Sequence, residues 1–239
     1  MKDSSWGRLI GALVAPGETF RSIAERPTWL PPLLVLVLLA MAVGIVLQVR
    51  TDPEEMVRGQ FEMMKFDVPQ EQIDKAIEQA ENQSMAAKAG IVGIGAVGQA
   101  VLFAVVAVLF WIGFKMFGSE MDYLRSLATT LHGYLPLAVG MLINLPLMLF
   151  TRETLTFEDA MNGGVLVSSL KPLAPEDASS LTEALLGSFD LFTIWTLVLL
   201  TIGYKQVAKV STAVASGIVI LFWLIYVVGK VGIAAAFMR

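Results

Sequence analysis

The chain has 239 residues, of which 56% are hydrophobic and 16% are charged, with a net charge of −4 and no cysteine. A soluble domain carries about 25% charged residues and must expose much of its surface to water, so soluble enzymes and disordered chains are disfavoured. The negative net charge argues against nucleic acid as a partner, and the lack of cysteine removes disulfides and thiolate chemistry. The composition, with a mean hydropathy of +0.69, predicts an all-α polytopic integral membrane protein.

The first 29 residues precede any run that is long enough to cross a membrane. The apolar run 9–15 ends at Pro16 and is too short for a cleavable signal peptide. Residues 5–14 and 17–26 instead predict two short helices that lie on the cytoplasmic membrane surface as an anchor. The side chains expected to dip into the headgroup region are Trp6, Leu9, Ile10, Leu13, Phe20 and Ile23.

Five runs have the roughly 20 apolar residues that a bilayer core of about 30 Å requires. They lie at about 30–49, 89–114, 126–150, 184–204 and 211–228. We therefore predict a single membrane domain over 1–239, with five transmembrane helices, N-terminal interfacial helices and an extramembrane helical hairpin.

The loops between the runs separate by charge. The long loops 50–88 and 151–183 together hold 15 acidic and 7 basic residues. The short loop 115–125 holds Lys115 and Arg125, and the short loop 205–210 holds Lys205 and Lys209 with no acidic residue. Because Lys and Arg favour the cytoplasmic side, we expect the N-terminus and the short loops in the cytoplasm and the C-terminus outside. Two arginines of the first long loop oppose this orientation.

The long loops also carry helix signals. Two prolines of loop 50–88 are each followed by acidic residues, a pattern typical of first helical turns, so this loop predicts the helical hairpin. Loop 151–183 ends in Ser180 with Glu183 three residues later, which predicts a capping box that leads into the fourth span.

The third run carries a face of small and polar residues, and two interpretations stay open. The face consists of Thr129, Gly133, Pro136, Gly140 and Asn144, with His132, the only histidine, beside it. It is either a lining strip for a polar headgroup or ion, or a tight helix–helix interface with interhelical hydrogen bonds. His132 is correspondingly either a ligand or a buried, hydrogen-bonded imidazole.

Three other polar residues lie in or near apolar runs, where polar groups are costly. Gln99 lies among small residues that let helices approach closely, and its simplest role is a hydrogen bond to a neighbouring helix. Asp190 is the only acidic residue within a run, and Lys230 lies near the outer end of the fifth. These two either form an ion pair or mark the membrane boundary.

The sequence offers little for catalysis. It contains no G-x-S-x-G nucleophile motif and no H-E-x-x-H or phosphate-binding Gly-Lys-Ser/Thr motif. One carboxylate within the runs cannot make the pair that an aspartyl protease needs. We therefore predict no catalytic residue, no metal site and no cofactor.

Four short stretches follow one another along the chain in a defined order. They are PGETF at 16–20, Phe117-Gly118 with Tyr134-Leu135-Pro136, FDLFTIW at 189–195, and Gly203 with the short basic loop after it. In this order they resemble the Yip domain family, the Ypt/Rab-interacting-protein fold of five-span membrane proteins, in its bacterial form.

The resemblance implies a five-helix bundle in a bacterial cytoplasmic membrane with a cytoplasmic N-terminus. It also implies structural roles for Pro16, Phe20, Pro136, Trp195 and Gly203. Eukaryotic members are linked to Rab-type GTPases, but the acidic lead-in expected of those members is missing, so GTPase binding is not expected here.

The function predicted from these observations is that of a non-enzymatic membrane organiser. Its expected partners are the lipid bilayer and, through helix–helix contacts, a second copy or other membrane proteins. The alternative is a passive carrier or scramblase for a lipid or small amphiphile, which would use the polar face of the third span.

Overall fold

The computed structural model describes residues 4–64, 67–175 and 178–237, and these residues are largely α-helical, which confirms the all-α prediction. The helices are α1 (Gly7–Val14), α2 (Pro16–Glu25), α3 (Leu30–Arg50), α4 (Pro53–Glu62), α5 (Gln70–Glu81), α6 (Met85–Lys115), α7 (Tyr123–Gly133), α8 (Leu135–Phe150), α9 (Phe157–Met161), α10 (Ser180–Leu186), α11 (Leu191–Val207) and α12 (Thr212–Phe237).

Within the described residues, four helical segments are long and apolar enough to cross a membrane, against the five that we predicted. They are Leu30–Arg50, Met85–Lys115, Tyr123–Phe150 and Thr212–Ala236. The remaining apolar helix, α11, has 17 residues and extends about 26 Å, which is shorter than a bilayer core of about 30 Å.

The predicted fourth span began at about residue 184, and this start is wrong. The chain forms the short helix α10, ends it at Gly187, and starts α11 only after Asp190. Asp190 has an extended backbone and its carboxylate accepts from the Thr193 N–H at 2.9 Å, so it is the N-cap of α11. The N-cap of α10 is Ser179, whose hydroxyl accepts from the Thr182 N–H, rather than the predicted Ser180.

The third span is interrupted between α7 and α8. Tyr134 caps the end of α7 and donates its backbone N–H to the Thr130 carbonyl at 3.0 Å. Pro136 follows in the first turn of α8, where its missing N–H leaves no hydrogen bond unmade. Pro146 lies inside α8.

The helices contribute to two compact units. The first comprises the described residues of 1–38, 97–140 and 190–226. Its main core is aromatic: Tyr204 of α11 stacks on Phe114 of α6 with ring centroids 4.6 Å apart, and Phe110 approaches the same ring at 4.7 Å. Aliphatic side chains of α12, such as Val219, complete this cluster.

The N-terminal helices of this unit were predicted to lie on the membrane surface, but α2 packs against other helices. Helix α2 packs against α7 and α11, and Phe20 and Ile23 are fully buried in a cluster with Ala128 and Leu199. The expectation that Phe20 and Ile23 dip into the headgroup region is therefore wrong, because their side chains are already covered by other helices. On α1 the exposed apolar residues are Trp6, Ile10 and Val14.

The second unit comprises the described residues of 39–96, 141–189 and 227–239. Helices α4 and α5 pack against each other, in agreement with the predicted hairpin. Phe157 lies against Gly59 of α4 and donates its backbone N–H to the Glu55 carboxylate at 3.0 Å. The end of α3 is joined to the segment after α8, since the Leu155 N–H donates to the Arg50 carbonyl at 2.8 Å.

Candidate functional site

A chain of hydrogen bonds links three helices in the first unit. Ser126 Oγ donates to the Ala107 carbonyl of α6 at 2.7 Å. Its hydroxyl hydrogen is thereby used, so the 2.9 Å contact with Tyr204 Oη must be donated by Tyr204. Thr130 Oγ1, 2.7 Å from the same oxygen, then donates to it. The hydroxyls bond one another and hold α6, α7 and α11 together.

Three residues of the family resemblance, Gly203, Phe20 and Trp195, lie close together. A Cβ atom at Gly203 would lie 2.8 Å from Phe20 Cε1 and 2.9 Å from Thr129 Cγ2. Trp195 packs on the cluster that contains Phe20. Pro16 opens α2 and Pro136 lies in the first turn of α8. The structural roles that the resemblance implied for these residues stay predictions.

His132 is completely buried, and its two ring nitrogens have different surroundings. Nδ1 lies 2.8 Å from the Ala128 carbonyl oxygen, so Nδ1 carries a proton and donates it. Nε2 has no hydrogen-bond partner within the described part of the chain. The histidine therefore combines one satisfied donor with one buried atom whose partner the described residues do not supply.

Two further buried residues were missed by the sequence analysis. Thr196, on the same face of α11 as Phe192 and Leu200, has a buried hydroxyl without a partner among the described residues. Arg8, on α1, is 5% exposed, and its Nε also has no partner there. The spacing of Arg8 and Ala12 on the side of α1 opposite Trp6 and Ile10 was the available signal, since it places the guanidinium on the protein-facing side.

Asn144 forms hydrogen bonds to the segment that follows α9. Its Nδ2 donates to the Gly163 carbonyl at 2.7 Å, and its Oδ1 accepts from the Leu166 N–H at 3.0 Å. A Cβ atom at Gly164, which has a φ of +135°, would collide with the Asn144 amide. The amide is therefore used to hold a loop.

Asp190 and Lys230 each have a local partner. Asp190 caps α11 through Thr193. Lys230 is partly buried and donates from Nζ to Ser188 Oγ at 3.4 Å. An ion pair between Asp190 and Lys230 stays a prediction.

Gln99 differs from the other polar candidates. It lies on α6, is partly exposed, and makes no side-chain hydrogen bond with any described residue. The adjacent Gly98 is open, because a Cβ atom there would meet nothing within 4 Å. Of the polar candidates in the membrane helices, Gln99 thus offers both amide groups to a partner outside the chain.

Within the described residues, no group of three or more His, Asp or Glu side chains is arranged to hold a metal ion.

The model of the Yip1 domain family matches residues 10–233. The membrane protein YknW of Bacillus subtilis (strain 168) is 24% identical over 221 residues, which cover 90% of this chain and 87% of YknW. No solved structure matches the chain.

Proposed function

Since the chain belongs to the Yip1 domain family, we propose that it is a non-enzymatic integral membrane protein that organises membrane or protein partners through helix–helix contacts. Its apolar helices and its similarity to a bacterial membrane protein support the membrane location. The organising role is supported by one surface of α6.

That surface is the α6 face, which we define as Gly98, Gln99, Leu102 and Leu109. Leu102 is 54% exposed and Leu109 is 45% exposed, and the Gln99 amide has no partner in the described chain. A polar group in hydrocarbon without hydrogen bonds costs several kcal/mol, so this amide favours a conformation or complex in which it is bonded. A second membrane helix supplies that bond, and Gly98 lets its backbone come close.

The first experiment measures self-association of the full chain in lipid nanodiscs or mild detergent. A hydrogen bond between membrane helices contributes about 0.6–2 kcal/mol, so we expect Gln99→Leu to weaken association by roughly 3- to 30-fold. Gly98→Leu should weaken it further, because the added side chain keeps the helices apart. Single-molecule photobleaching or native mass spectrometry reports the dimer fraction.

The matched control is Gly93→Leu, which adds the same side chain at an open glycine on another side of α6 and should leave association unchanged. If the wild-type chain is monomeric, and if no other membrane protein is crosslinked to it in cells, the organising function is wrong. If all three variants weaken association equally, the α6 face is not the contact surface.

The third span gives no support to the carrier alternative. That alternative depended on the polar face of the third span, together with Gln99 and Asp190, and the polar side chains of that face bond the chain's own backbone. Thr129 donates to the Arg125 carbonyl at 2.7 Å, His132 to Ala128, and Asn144 to Gly163. No observation in the described residues therefore favours a lipid path along this face.

We also propose that the N-terminus and the loop 205–210 face the cytoplasm of a bacterial inner membrane, as the charge pattern indicates. The chain has no cysteine, so single cysteines report on one position each. Gln83→Cys is preferable to a change at Ser84, whose hydroxyl accepts from the Ala87 N–H. An impermeant maleimide should label Gln83→Cys in intact cells and Lys205→Cys only after lysis, and the opposite pattern would reverse the topology.

A further inference from the structure

Arg8 is a buried arginine that has no carboxylate partner among the described residues. Its Nη1 donates to the Arg26 carbonyl at 2.6 Å and to Thr28 Oγ1 at 3.3 Å. Both acceptors are neutral, and Nε is buried with no acceptor. The guanidinium thus has hydrogen bonds at Nη1 but none at Nε, and no described residue supplies a counter-charge.

Arg125 provides a comparison at the same end of α2. Its Nε donates to the Ala24 carbonyl at 2.7 Å, as Arg8 does to the carbonyl of Arg26. Arg125 also forms an ion pair with Asp122, which balances its charge. The two arginines therefore differ in two respects. Arg125 has a counter-ion and Arg8 has none among the described residues, and Arg8 is much more buried.

The described residues around Arg8 do not neutralise its charge. The carbonyl end of α2 contributes roughly half a negative charge. The buried His132 ring donates its Nδ1 proton to the Ala128 carbonyl and supplies no negative charge. A buried charge without a counter-charge is strongly destabilising, so the arrangement calls for an anion from outside the described chain.

We propose that Arg8 binds the phosphate group of an anionic phospholipid. Arginine matches phosphate oxygens with its planar fork of donors. The Thr28 hydroxyl accepts from Arg8 and still has its own hydrogen to donate. Phosphate is thus the anion whose oxygens fit the donors that this site leaves free.

The position in the chain points to lipid, rather than free phosphate, as the source. Thr28 lies two residues before α3, at the end of a membrane-crossing helix where headgroups lie. Helix α1 exposes Trp6, Ile10 and Val14 by 59%, 68% and 74%, an apolar stripe suited to acyl chains. The unbalanced charge of Arg8 favours a net-negative headgroup over a zwitterionic one.

The test titrates phosphatidylglycerol, phosphatidylcholine and inorganic phosphate separately into the full chain in neutral detergent, with native mass spectrometry and thermal stability as readouts. We expect phosphatidylglycerol to bind and stabilise the wild type more than either other probe. Arg8→Gln removes the charge and should weaken phosphatidylglycerol binding about tenfold. The matched control, Arg21→Gln on the exposed side of α2, should change it by less than about twofold.

Several results would overturn the site. Equal binding of phosphatidylglycerol and phosphatidylcholine by the wild type would do so even if Arg8→Gln fails to fold. Stronger protection by inorganic phosphate than by phosphatidylglycerol would reject the lipid source. Asp3 lies outside the described residues, and if Asp3→Asn destabilises the chain as much as Arg8→Gln while lipid binding is unchanged in both, Asp3 is the counter-ion and the proposal is wrong.

Discussion

The α6 face and the contact between α7 and α11 use similar residues in opposite ways. In the α7–α11 contact, Gly203 lies against Thr129, and the Tyr204 hydroxyl bonds Ser126 and Thr130. On α6, Gly98 touches nothing and Gln99 has no bonded partner among the described residues. Small residues with a nearby polar group thus pack against the same chain in the α7–α11 contact, whereas on α6 the partner is the second membrane helix that the proposed function requires.

This difference separates folding from association. Substitutions in the α7–α11 contact should destabilise the chain itself, because buried side chains there cannot move aside. Substitutions on the α6 face should leave folding intact and change only what the chain binds.

The largest effect is expected from Gly203→Val. Its added atoms would overlap Phe20, which is fully buried, and Thr129, so we expect a loss of about 3 kcal/mol in the free energy of unfolding, or no folded protein. Thermal unfolding in detergent measures this. Gly98→Val is the control on the open surface, and if both variants lose equal stability, the distinction between the two surfaces is wrong.

A smaller loss is expected from Tyr204→Phe. The change keeps the stacking on Phe114 but leaves the Thr130 hydroxyl without its acceptor, which should cost about 1–2 kcal/mol. Tyr226→Phe, at a residue that is 62% exposed, serves as the control. An unchanged melting temperature for Tyr204→Phe would show that the hydroxyl chain does not stabilise the contact.

Asp190→Leu should have the smallest effect of the three, about 1 kcal/mol, because it removes the N-cap of α11. Asn is as good an N-cap as Asp, so Asp190→Asn should retain most of the stability. Unfolding of the two variants side by side measures the cap. If Asn is as damaging as Leu, the charge of Asp190 is the essential property, as an ion pair would require.

The sequence predicts the helices well where one physical signal dominates. Long apolar runs gave four segments able to cross a bilayer, and Pro53 after Asp52 marks the start of α4, where Asp52 accepts from the Glu55 N–H at 3.0 Å. The family resemblance is confirmed by a family match over residues 10–233. The apolar runs and the helix cap are local signals, whereas the family resemblance is spread over the whole chain.

Other features depend on the partner of a surface, which a single sequence does not contain. The apolar face of α2 has the same pattern whether it meets lipid or protein, so the burial of Phe20 could not be inferred. The start of α11 was missed because Asp190 is the only charged residue in 184–204, and only the backbone shows that this carboxylate caps a helix. The burial of Arg8 was missed although its position opposite Trp6 and Ile10 was a signal, because arginine is almost never fully buried without a charged partner and so was assigned to the membrane surface.

The contact between α4 and the segment after α8 can form only late in the synthesis of the chain. Glu55 and Phe157 are 102 residues apart, so Glu55 emerges roughly 5 to 20 seconds before its partner at ordinary rates of translation. Helix α5 is nearby in sequence and can dock on α4 at once, whereas Phe157 arrives only after the segment Tyr123–Phe150 has been made. This part of the molecule is therefore assembled in two stages. The surface of α4 that contacts Phe157 stays uncovered until the third apolar segment has entered the membrane.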